Sequence, residues 1–254
     1  MKVSIIGSGN VAQQLAPVFK RNKCIIYEIC SRNPAKGKAL AKRVGAAFIN
    51  NISKVTDTGG VIILAVKDDA IEEVIKKLPA LQNTLVIHTS GATDISVLKR
   101  FKSSGVLWQV QTIQARTKVD FRKVPIVIEG SNTPAEKKLA QLARMLNGRV
   151  YIFDSYQRSV LHLSAVWSNN FVNHLCHLAE QLLKKHRLPY EILGPLLMST
   201  AENALKNPGQ SQTGPALRRD KKSMAKHLTS LNNEKHLQQI YTLLSESIAK
   251  INSK

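Results

Sequence analysis

The stretch KVSIIGSGNVAQQLAPVFKR, Lys2–Arg21, decides the fold. A short apolar run reads as a strand, and the residues after Gly9 carry their apolar side chains at helical spacing. Between them Gly7-Ser8-Gly9-Asn10-Val11-Ala12 fits GxGxxA. The first glycine permits the tight turn, and the second lets backbone amides approach a pyrophosphate. The small Ala12 lets the helix pack on the strand, so that the helix N-terminus faces the phosphates. Taken alone the pattern is weak. Its place between a strand and a helix is the context that makes it a dinucleotide site.

The alternation continues outward from this unit. CIIYEIC is a second strand, followed by the helix PAKGKALAKRVG, with proline near its start and glycine at its end. GVIILAV and TLVIHTS are continuous apolar runs, as expected of strands buried on both faces. The acid-started, base-ended helix DDAIEEVIKKL lies between them. VLWQVQT, VPIVIEG and GRVYIFD read as further strands, with a helix from Pro134 to about Met145. The fold class is therefore α/β: a Rossmann-like, doubly wound parallel sheet over residues 1–154, then an all-helical domain over residues 155–254.

The residues at the second strand's end select the dinucleotide. NAD sites carry an acidic residue there to hold the ribose hydroxyls. Here the strand ends CSRNPAK, and Ser31, Arg32 and Lys36 stand where a carboxylate belongs. A guanidinium, an ammonium and a hydroxyl suit the 2′-phosphate of NADP. Glu28 lies too early in the strand and reaches the ribose only if the register slips, so NADP is preferred to NAD. Gly7, Ser8, Gly9, Asn10 and Val11 complete the phosphate turn, and Ala65, Val66 and Lys67, at the end of a later strand, line the cofactor path.

The run VIHTSGAT supplies the polar exit of the next strand. Thr89 and Ser90 are expected beside the nicotinamide, and His88 is a candidate proton or hydrogen-bond donor to a substrate carbonyl or imine. The competing reading is a turn whose side chains satisfy their own backbone.

From Ser155 to about His186 the chain reads as one long helix, apolar around most of its circumference, expected to be covered by other helices or a second subunit. His162, Asn169 and Asn173 share one face, with Asn170 at its edge. His162 and Asn170 are catalytic candidates and Asn169 a substrate ligand; a neighbouring helix would satisfy the same groups equally well. His174 and His177 lack the carboxylate and second cluster of a metal site, and no metal is expected. Further helices are expected at Tyr190–Leu205, Pro215–Leu231 and Glu234–Ile251. The polar insert QTGPALRRD, Gln212–Asp220, breaks this pattern. Gln212, Thr213 and Arg218 are candidate ligands for an anion, against a helix cap with an Arg218–Asp220 surface pair.

The bulk properties bound the possibilities. The chain has 254 residues, is 43% hydrophobic and carries a net charge of +20. The excess is spread, with +13 in residues 1–154 and +7 in residues 155–254. Aromatic residues make up only 5%, and neither a basic tail nor an RNA-binding motif occurs, so nucleic acid is the least favoured partner. The longest apolar run is too short for a membrane span. Cys24, Cys30 and Cys176 show neither metal nor disulfide spacing, which favours the cytoplasm.

HTSGATDISVL, QTIQ, LHLSAVWSNNFVNHL and QTGPALRRD resemble a bacterial family of Rossmann-like proteins whose C-terminal helical domain has no known function. That family is similar in turn to the pyrroline-5-carboxylate reductase, β-hydroxyacid dehydrogenase and deazaflavin-dependent NADP reductase group. The resemblance implies an NADP-binding N-terminal domain, a helical domain that forms a homodimer, and an active site in the cleft between domains. Two departures stand out. Lys67 replaces the family's usual proline, and the long helix lacks the proton-transferring lysine of β-hydroxyacid dehydrogenases. The expectation is an NADP-dependent oxidoreductase acting on a small, anionic carbonyl, imine or hydroxy compound. The alternative is a non-enzymatic NADP-binding sensor or regulatory dimer.

Overall fold

A computed structural model of the chain describes residues 1–114 and 117–251. They form two compact units, Met1–His174 and Leu175–Lys254.

The first unit is built on eight strands: β1 (Lys2–Ile6), β2 (Ile25–Cys30), β3 (Ala47–Ile49), β4 (Val61–Leu64), β5 (Leu85–His88), β6 (Ser104–Gln109), β7 (Ile126–Gly130) and β8 (Val150–Ile152). Their order in the sheet is β3-β2-β1-β4-β5-β6-β7-β8, and the first six follow the doubly wound dinucleotide-binding order. One side of the sheet is covered by α1 (Asn10–Arg21), α2 (Pro34–Val44) and α4 (Thr133–Met145), and the other by α3 (Ile71–Lys77). The apolar strands serve both faces. Ile5, Ile63 and Ile87 join the core under α1, α2 and α4, whereas their neighbours Ile6, Ile62 and Val86 join the core under α3.

The sheet is not wholly parallel, as the strand reading had it: β7 pairs antiparallel with β6, and β8 pairs parallel with β7. The connection from β6 to β7 carries a short 3₁₀ turn at Phe121–Lys123 among its described residues.

The long helix runs from Ser155 to Lys185 and changes its winding along the way. α5 (Ser155–Ala165) opens with a capping box between Asp154 and Gln157. Residues Val166–Phe171 then wind as a π-helix, and α6 (Val172–Lys185) follows. α5 and the π-helical segment belong to the first unit, because Leu161 packs with Val106, Trp108 and Val127 of the sheet. Within the single chain Leu163, Phe171 and Leu175 are 58%, 44% and 40% exposed.

The second unit contains the rest of α6 with α7 (Gly194–Lys206), α8 (Lys221–Ser230) and α9 (Lys235–Ile251). α8 begins later than Pro215. Asp220 accepts the Ser223 backbone N–H at 3.0 Å and fixes the start at Lys221, while the preceding turn holds Gly214 at φ +103°. Lys185 pairs with Glu234 at 2.9 Å, and Gln238 donates to the Leu228 carbonyl, also at 2.9 Å.

Candidate functional site

The crevice above the C-terminal ends of β1, β2 and β4 begins at Gly7. Its φ is +117°, and a Cβ would stand 2.2 Å from the Ala65 carbonyl oxygen, so the position is closed to any side chain. Gly9 differs: a Cβ there meets nothing within 4 Å, and α1 starts on it without a side-chain cap or a first-turn acid. A bare helix N-terminus behind open space fits a pyrophosphate. Ala12 is fully buried against the sheet.

The Ser8 and Ser31 hydroxyls lie 2.7 Å apart, and Ser31 Oγ also accepts the Asn33 N–H at 3.1 Å. Ser31 thus ties the glycine turn to the start of α2. Arg32 and Lys36 are exposed at that start, where Asn33 caps the helix by accepting the Lys36 N–H at 3.0 Å. Glu28 is only 3% exposed and accepts from Ser4 Oγ at 3.1 Å and Thr56 N at 3.0 Å. It is a structural carboxylate turned to its own sheet, which removes the one acid on β2 from the ribose position. Cations at a helix N-terminus oppose the helix dipole and suit an anion. These residues leave a cationic helix start beside the glycine turn, which fits the dinucleotide's anionic groups.

The ends of β4 and β5 complete the crevice. Ala65 N–H donates to the Ile6 carbonyl at 2.8 Å, Val66 is half-buried and Lys67 exposed. Thr89 and Ser90 are buried, and Ser90 Oγ accepts from Ala92 N, Thr93 N and Thr93 Oγ1 at 2.9–3.2 Å. His88 is fully buried. Its Nδ1 accepts the Ser90 N–H at 3.2 Å, and Nε2 has no hydrogen-bond partner among the described residues. Desolvation first, and the Arg158 guanidinium next, lower its pKa to about 3. A group held neutral in this way donates a hydrogen bond but not a proton near neutral pH.

Beside the β5 exit lie residues from α5 and the π-helical segment. His162 is half-buried, its ring 5.7 Å from Trp108, and both crowd Gly91, where a Cβ would meet each at 2.6 Å. Asn169 donates to Thr112 Oγ1 at 2.9 Å and to Asn170 Oδ1 at 3.4 Å; both asparagines are exposed. The Thr112 loop also meets the glycine turn, for Asn10 Nδ2 donates to the Ile113 carbonyl at 3.0 Å. One loop therefore joins the phosphate turn to the asparagines. Thr112 lies in the QTIQ stretch, whereas Trp108, Glu129 and Arg158 carry no spacing in the sequence that marks them. Gln212, Thr213 and Arg218 belong to the second unit, where Gln212 Nε2 donates to the Thr213 carbonyl and Arg218 N–H to the Gly214 carbonyl. Among the described residues no three His, Cys, Asp or Glu side chains converge as metal ligands, and no helix is long and apolar enough to cross a membrane.

A Rossmann sheet whose glycine turn, uncapped helix and cationic strand end fit a nicotinamide dinucleotide defines an NAD(P)-dependent oxidoreductase. Residues 2–91 match the family described as NADP oxidoreductase coenzyme F420-dependent, and residues 124–248 match the Domain of unknown function (DUF2520). The chain belongs to the family that joins these two domains. It is similar to a candidate NADP oxidoreductase from Bacteroides fragilis, with 33% identity, 98% of each chain covered and a TM-score of 0.86. An imine reductase from Myxococcus stipitatus in complex with NADP+ shares the fold, at 15% identity and a TM-score of 0.70, over 98% of this chain and 93% of that one. A pyrroline-5-carboxylate reductase from Aquifex aeolicus is 23% identical over 146 residues, or 58% of this chain. The match spans 54% of that curated relative's length.

Proposed function

We propose that the protein is an NADP-dependent oxidoreductase acting on a small, anionic carbonyl, imine or hydroxy compound. The observation that carries the cofactor choice is the end of β2, where Arg32 and Lys36 flank an α2 N-terminus and Glu28 is buried in its own hydrogen bonds. The imine reductase and the pyrroline-5-carboxylate reductase among the similar proteins support the substrate class. The bound nicotinamide supplies or accepts the hydride. The chain's own residues do the rest. Gly7, Gly9 and the first amides of α1 seat the pyrophosphate, while Ser8 and Ser31 hold the turn. Val11, Ala65, Val66, Lys67, Thr89 and Ser90 line the path to the reacting ring. Asn169 binds the substrate, with His162 and Asn170 as the catalytic candidates. His88 acts as a neutral positioning group instead. Gln212, Thr213 and Arg218 are the proposed anion ligands of the second unit, on the strength of their glycine turn and guanidinium. A homodimer is supported by the apolar side chains left exposed along the helices, and a cytoplasmic setting by three unpaired cysteines.

The sensor reading draws on a different observation: Ser90 Oγ and His88 are both engaged inside the β5 turn, leaving few groups to move a proton. Titration with NADPH and NADH, read by nicotinamide fluorescence, tests the cofactor assignment. NADPH is expected to bind more tightly, and Arg32→Ala to remove about tenfold or more of that preference. Equal affinity, or binding of neither, sinks the assignment. Oxidation of bound NADPH by imines or keto acids then separates enzyme from sensor.

A further inference from the structure

Among the described residues Arg158 is the largest fully buried side chain, and its guanidinium is closed on every side. Nε and Nη2 donate to Glu129 Oε2 at 3.3 and 2.9 Å, and Nη2 also donates to Ser155 Oγ at 2.9 Å. Nη1 donates to two consecutive backbone carbonyls, Ser90 at 3.3 Å and Gly91 at 3.0 Å. Ser155 Oγ donates to the Glu129 carboxylate at 2.8–2.9 Å and accepts the Ile95 N–H at 3.1 Å. On the other side of the same turn, the Ser90 N–H is held by His88 Nδ1, and Gly91 is pressed by Trp108 and His162.

A buried ion pair returns little net stability, because desolvating two charges costs about as much as their attraction gives. An apolar pair of the same volume would serve the core as well. What an apolar pair lacks is a grip on two successive carbonyls. Resting on the cofactor reading above, we infer that Arg158, oriented by Glu129 and Ser155, is the positioning residue of the Thr89–Ser90–Gly91 turn and sets where the nicotinamide end of the cofactor is held. The clamp comes from β7 and α5, outside the nucleotide-binding β1–β5 half. It therefore acts on the reacting end of the dinucleotide and leaves the adenosine end to the glycine turn and Arg32. It also holds Gly91 against His162, so this catalytic candidate and the nicotinamide share one support.

Because one half of the ligand is affected and the other is not, the ratio of two affinities reads the clamp. NADPH and 2′,5′-ADP, which carries only the adenosine end, are titrated into the full chain and into Arg158→Lys and Ser155→Ala. The expected result is 2′,5′-ADP binding within about twofold of the parent and NADPH binding weakened about tenfold. A fold defect would weaken both ligands together. Unchanged NADPH binding, or proportional loss of both ligands, overturns the clamp. Ser155→Ala removes only one hydroxyl and decides the matter alone if Arg158→Lys does not fold. If the parent protein binds neither ligand, the cofactor reading fails and takes the clamp with it. If the parent binds both and the variants match it, only the clamp fails.

Discussion

His88 carries a pH signature in a single side chain. Its Nδ1 accepts the Ser90 N–H, and burial with Arg158 lowers its pKa to about 3, against about 6.5 for a free imidazole. The folded state therefore binds its proton only well below the pH at which the unfolded chain does. Stability from this group is complete above about pH 6.5 and drains away as the pH falls towards 3. Between pH 7 and pH 5 the loss is on the order of 2 kcal/mol. The carboxylates with lowered pKa values, such as Asp57 and Asp94, titrate below this window. Urea unfolding at pH 7 and pH 5 should show the loss in the parent, and His88→Asn should remove most of it. An equal pH dependence in both proteins would mean that His88 is not held neutral. Sequence alone could not reach this result, since it depends on Arg158, which lies 70 positions away from His88.

At the scale of elements, legibility followed length and local chemistry. The β1–α1 unit and the buried runs of β4 and β5 were readable because glycine geometry and continuous apolarity are local signals. β3 is three residues at the sheet's edge, too short for its Phe48 and Ile49, which pack on opposite cores, to show a strand period in the sequence. The direction of β7 leaves no mark in its own apolar run, and the start of α8 at Lys221 follows from the Asp220 cap. The π-helical segment carries no sequence mark, yet it moves Asn169 and Asn170 off the regular helical spacing assumed for the polar face. The β2–α2 junction is where an element's end determines chemistry. Asn33→Asp would keep the cap on Lys36 N–H and add a carboxylate beside Arg32. NADPH affinity should then fall by about tenfold while NADH affinity holds or rises, by charge repulsion of the 2′-phosphate. Isothermal titration of the variant with both cofactors measures this, and a parallel change for the two would place the 2′-phosphate away from the α2 N-terminus.

At the scale of the whole molecule, the unburied apolar surface and the charge pull in opposite directions. Trp167, Leu163 and Val160 are 61%, 58% and 46% exposed in the first unit, and Leu196, Met198 and Leu243 are 63–69% exposed in the second. Within the first unit Trp167 meets Phe171 edge-on at 5.0 Å with both rings exposed, and apolar side chains exposed together favour burial against another surface. Each copy also carries +20, so two copies repel one another. The two effects differ in their response to salt. Burial of apolar surface survives added salt, whereas charge repulsion is screened over about 8 Å at physiological ionic strength. Self-association should therefore tighten from low to moderate salt, the reverse of what binding to a polyanion would do. Sedimentation equilibrium should give twice the 28.1 kDa chain mass, with a dissociation constant that falls as sodium chloride rises. Trp167→Asp, which puts a charge into the exposed helical face, should shift the protein to monomer while leaving 2′,5′-ADP binding intact, because Arg32 and Lys36, the residues proposed for its 2′-phosphate, lie at the start of α2. A monomer at every salt concentration would show that the exposed leucines and tryptophan serve some partner other than a second copy.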